Sequence, residues 1–170
     1  MEEGDDISKM RFETSSAYFT VLASALFDIK PGVYCDPHFA GYHYYPVFAG
    51  AGVPAKEGAG RLTAENNAWI IAANITDDMP DSIPVLITRN VDPASLIPRE
   101  GDLREQYVRL SSEFKTPFGN KGFVMVRKGG AIVSMRFGRH SSLATVYQGA
   151  DARELQRIRD ALQKVEYLTP

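Results

Sequence analysis

The chain has 170 residues, of which 44% are hydrophobic, 11% aromatic and 24% charged, ordinary proportions for a soluble globular protein and unlike those of a long disordered one. Its formal net charge of −2, with Lys and Arg scattered, offers no field to steer nucleic acid or an anionic membrane. One cysteine, Cys35, excludes an internal disulfide, and no run reaches the roughly 18 apolar residues of a membrane-spanning helix.

One domain over 1–170 is the simplest organisation for this length, with 1–12 as a disordered or added leader. The start, "MEEGDDISKM", is acidic and lacks the basic-then-apolar order of a signal peptide, so the expectation is either a cytoplasmic protein beginning at Met1 or a chain whose anchor has been removed.

Along the chain, "SSAYFTVLASALF" puts Phe19, Leu22 and Leu26 on one stripe behind Ser15 as N-cap, which predicts a first helix. Its other face, Thr20, Ala23 and Ser24, is small. Residues 29–61 mix glycine, proline and aromatics without a sustained period and read as a long, ordered, irregular connection. "NAWIIAANI" and "PVLITRN" are β-branched and of strand length, and "TDDMPDSI" between them has the chemistry of a turn.

Further on, Leu103, Tyr107, Leu110 and Phe114 recur at helical spacing behind Asp102 and Glu105, predicting a second helix. "FVMVRKGGAIVSMRF" is two strands around Gly129–Gly130, with Ala131, Val133, Met135 and Phe137 on one face and Ser134 and Arg136 on the other. "SLATVYQ" reads as a short strand. A C-terminal helix then places Leu155, Ile158, Leu162 and Val165 on one stripe behind an Asp151/Glu154 capping pair. The order helix, loop, hairpin, helix, hairpin, helix predicts an α+β fold with an antiparallel sheet.

Candidate chemistry is sparse. Cys35, His38 and His43 bring ligand types for a transition metal into nine residues, as a small metal-binding protein or metal-dependent enzyme would use them, although their spacing matches no ligand pattern. Asp77, Asp78 and Asp81 gather the hard oxygens that calcium takes, without the frame of an EF-hand loop. Tyr34, Tyr42, Tyr44, Tyr45 and Trp69 could form a stacking platform for a carbohydrate or another small molecule. No nucleophile elbow, phosphate-cradling loop or acid dyad stands out, so no catalytic residue is assigned and no cofactor is expected beyond possible calcium.

Three stretches, "SSAYFTVLASALFDI", "AENNAWIIAANITDDMPDSIPVLITRNVD" and "FVMVRKGGAIVSMRF", together resemble the globular head of prepilin-type proteins, the type IV pilins and type II secretion pseudopilins. The resemblance implies an N-terminal helix packed on a four-stranded antiparallel sheet, to which this chain adds a C-terminal helix. It also implies a noncatalytic structural subunit that assembles with other pilin-like subunits or secretion-system proteins. Its place would be the bacterial cell envelope, on the periplasmic or cell-surface side, with a membrane contact only through an N-terminal helix missing from this sequence. On that reading Ala17, Ala23 and Ser24 form the assembly face.

Overall fold

The computed structural model describes residues 10–27, 63–65, 67–116 and 118–170, with the backbone alone for 23–27. The long connection expected over 29–61 falls outside them. Contacts divide the chain into two compact units, one made of 1–69 with 168–170 and the other of Ile70–Tyr167.

In the first unit, α1 spans Ser15–Phe27 and carries no charged residue. Thr14, rather than Ser15, caps it: Ala17 donates its backbone N–H to Thr14 Oγ1 at 3.1 Å. Ser15 is unavailable for that role because its hydroxyl donates to the Trp69 carbonyl at 2.7 Å and accepts from Asn67 Nδ2 at 2.8 Å. Asn67 is fully buried and also reaches Ser16 Oγ at 3.1 Å, while its own Oδ1 accepts from Trp69 N–H. A buried amide is tolerated because both its ends are bonded.

The sheet has strands β1 (Trp69–Ala73), β2 (Pro84–Thr88), β3 (Phe123–Arg127), β4 (Ile132–Met135) and β5 (Glu166–Leu168), in the order β4-β3-β2-β1-β5, and all of it except Trp69 and Leu168 falls in the second unit. β2 pairs antiparallel with β3, and β3 with β4. β2 begins on Pro84, where a missing N–H costs the ladder least, and a register irregularity follows between Pro84 and Leu86. In β3, Phe123 and Met125 are buried and alternate with half-buried neighbours. The edge strand β4 alternates exposed Ile132 and Ser134 with half-buried Val133 and Met135, the facing expected from its sequence, although Ala131 is exposed.

The fold is therefore α+β as expected, but the sheet has five strands rather than four. The extra strand, β5, follows directly on Val165, the last residue of the stripe that predicts the C-terminal helix. That helix, α3 (Ala152–Leu162), is capped by Asp151, whose Oδ1 accepts from Glu154 N–H at 2.8 Å, and it buries Ile158, Ala161 and Leu162. It stops at Leu162, and Tyr167 on β5 donates its hydroxyl to the Pro84 carbonyl at 2.8 Å. The segment "SLATVYQ" is likewise not a strand but a helical turn, α2 (Leu143–Val146), capped by Ser142.

The second helix expected over 102–114 does not form. Asp102 caps only a 3-10 turn, Leu103–Glu105, and the chain then runs extended. Tertiary pairing takes its backbone: Leu143 N–H donates to the Gln106 carbonyl at 2.7 Å, Val108 N–H to Ser141 at 3.0 Å, and Asp92 N–H to Arg109 at 2.9 Å. Gln106 and Val108 are buried, whereas Tyr107, on the expected apolar stripe, is 42% exposed. Several long-range bonds together outweigh a helix of ordinary propensity.

The core joins β2 and β3 to α2 and α3 through Ile87, Phe123, Met125, Leu143, Val146 and Ile158, all buried. Burying Phe123 alone contributes roughly 2–3 kcal/mol. The β3–β4 connection is a three-residue turn in which Arg127 N–H donates to Ala131 at 2.9 Å and Gly130 N–H to Arg127 at 2.8 Å. Gly130 sits at φ +88°, which a side chain adopts only with strain. Gly130→Ala is expected to cost about 1 kcal/mol in a urea unfolding curve, and Gly130→Asn less, since asparagine tolerates this region better; equal stability of the alanine variant and the parent would contradict the assignment.

Candidate functional site

Among the described residues, the second unit has a cleft of about 600 Å³. One wall is the bridge 77–82 between β1 and β2, the other the turn 147–150 between α2 and α3, with Arg127, Glu154 and Arg157 completing it. The bridge leaves β1 at Asn74, whose φ of +60° suits a residue that enters the left-handed region more readily than most. Turn bonds then shape it: Met79 N–H donates to Thr76 at 3.2 Å and Ile83 N–H to Pro80 at 3.2 Å.

Its neighbours hold it by its carbonyls. Lys128 Nζ donates to the Asp77 carbonyl at 2.9 Å, Arg157 Nη2 to that of Asp78 at 3.2 Å, and Gly129 N–H to that of Asp81 at 2.9 Å. Lys128 N–H adds a bond to Ile83 at 2.8 Å. Gly129 permits this approach, because a Cβ there would lie 2.9 Å from Asp81 Cβ. The three aspartates are exposed to solvent, and Lys128 Nζ stands 3.6 Å from Asp81 Oδ1.

On the opposite side Arg157 pairs with Glu154 at 3.1 Å. Arg127 donates through Nη2 to the Val146 carbonyl, and its Nε is buried with no hydrogen-bond partner among the described residues, as is Ser82 Oγ. Tyr147 is buried, and its hydroxyl donates to the Leu96 carbonyl at 2.7 Å. Burial pushes its phenol well above the ordinary tyrosine range.

The residues singled out in sequence fare differently. Asp77, Asp78 and Asp81 do lie together on one cleft wall, yet among the described residues no three His, Cys, Asp or Glu side chains converge as a metal would require. The backbone carbonyls of Asp77, Asp78 and Asp81 accept from Lys128, Arg157 and Gly129. Cys35, His38 and His43 lie outside the described residues, as do Tyr34, Tyr42, Tyr44 and Tyr45. Trp69 is half-buried, and its indole N–H is buried without a partner among the described residues. Ala17 is exposed on α1, and the side chains of Ala23 and Ser24 are outside the description. Arg127 was not legible as a site residue, because a cation in strand sequence looks the same whether or not a carboxylate faces it.

No family model, no curated protein and no solved structure matches the chain.

Asp78 is held below the ordinary carboxylate value of 3.8, first by the hydrogen bond from the Thr76 side chain, then by its own backbone N–H, with Lys164 and Lys128 adding attraction against the effect of burial. A depressed carboxylate stabilises the fold above its unfolded pKa, and that contribution disappears as pH falls through the folded one. Thr76→Ala is therefore expected to raise the pKa of Asp78 in a carboxyl NMR titration and to loosen the bridge at a higher pH. An unchanged titration would show that Thr76 is not the cause.

Proposed function

We propose that the chain is a noncatalytic structural subunit of a pilus or type II secretion pseudopilus-like assembly at the bacterial cell envelope. The observation that supports this is the order of its elements. An uncharged helix, α1, precedes along the chain a sheet whose late hairpin turns on Lys128-Gly129-Gly130.

The surface of α1 fits an assembling helix. Ala17 is exposed and borders a hollow of about 450 Å³ whose other walls include Thr20, Val21 and Pro170, small or apolar groups against which a neighbouring subunit's helix can lie closely. Function would then arise from contacts with other pilin-like subunits or secretion-system proteins. Among the described residues no helix is long and apolar enough to cross a membrane, so on this reading any anchor belongs to a segment preceding α1 in the native protein.

Cross-linking in the native host tests the reading. With Cys35 replaced by serine and Ala17→Cys introduced, oxidation is expected to give a disulfide-linked dimer in the envelope fraction, and Glu113→Cys, at an exposed site on the second unit, is not. Monomer alone at both positions, with the protein recovered from the cytoplasm, would refute it.

A further inference from the structure

The cleft between the bridge 77–82 and the turn 147–150 has a property that assembly through α1 does not use. Its cations are not equally compensated. Lys128 has Asp81 and the Asp77 carbonyl, and Arg157 has Glu154 and the Asp78 carbonyl. Arg127, partly withdrawn from water, has no ion pair among the described residues, and its side chain makes one hydrogen bond, to the Val146 carbonyl. A guanidinium carries five N–H donors, so most of this one's capacity is unmet. Because Nε is sealed from solvent, the donors left to a ligand are those of Nη1 and the second on Nη2.

A partly desolvated guanidinium favours an oxyanion in planar, two-point contact. The mouth of the same cleft narrows the choice. Asp77, Asp78 and Asp81 are exposed there, and they repel a ligand carrying several negative charges while attracting a cation. Met79 and Ala150, both half-buried, supply apolar wall for a short aliphatic linker. The volume of about 600 Å³ is ample for such a molecule.

We propose that this cleft binds a small zwitterion of the amino-acid class, its carboxylate held by Arg127 and its ammonium group placed among Asp77, Asp78 and Asp81. The bridge then has two roles, as the connection between β1 and β2 and as the cation-selective lip of the site. The proposal stands apart from assembly through α1, which involves none of these residues.

An amide chemical-shift titration tests it, with ε-aminocaproate as probe and caproate, which lacks the ammonium group, as comparison. The expected result is a saturable shift of amides in 77–82 and 147–150 with ε-aminocaproate, and about tenfold weaker binding of caproate, the loss of one charge-assisted contact. Arg127→Gln is expected to abolish both. Since Arg127 also holds the Val146 carbonyl, a second variant guards against misfolding: Asp77→Asn with Asp81→Asn, both at exposed positions, should narrow the preference for ε-aminocaproate over caproate, Asp78 alone remaining. The proposal is overturned by the absence of a saturable shift in the parent, by equal affinity for the two probes, by undiminished binding in a folded Arg127→Gln variant, or by an unchanged preference in the double aspartate variant.

Discussion

The seating of the β3–β4 turn on the bridge between β1 and β2 is the contact on which the second unit depends. Two backbone bonds, Lys128 N–H to Ile83 and Gly129 N–H to Asp81, join a local hairpin to a segment more than forty residues earlier. They are made where β2 begins, so they set the point from which β2 and β3 run together. Gly129 is needed for the approach and Gly130 for the turn, and the two glycines therefore answer to different constraints.

From that contact the character of the acidic bridge follows. The carbonyls of Asp77, Asp78 and Asp81 accept from Lys128, Arg157 and Gly129, while the three residues remain exposed. The same arrangement places negative charge at the lip of the cleft and leaves Arg127 behind it without a counter-ion among the described residues.

What could be read in advance was whatever is decided locally. The late hairpin is marked by two glycines between alternating runs, and α3 by Asp151 three residues before Glu154 and by a stripe through Ile158 and Leu162. The segment 102–114 shows the opposite case. Its leucines and aromatics recur at helical spacing, but the backbone of Gln106, Val108 and Arg109 is claimed by Leu143, Ser141 and Asp92, partners whose proximity no window of sequence contains. Residues 166–168 became a strand for a similar reason, their side chain Tyr167 being anchored at Pro84. In the site, the aspartates were conspicuous as a cluster, while the uncompensated charge of Arg127 exists only once β3 is placed beside α2.

Hydrogen exchange across the bridge tests most directly whether it is a connection clamped through its backbone rather than a calcium loop. With Lys128→Met, exchange at Met79 and Ile83 should quicken while Met125, inside β3, keeps its protection, and added calcium should leave the parent's bridge amides unchanged. Unaltered exchange in the variant, or calcium-dependent slowing at 77–81, would contradict the account.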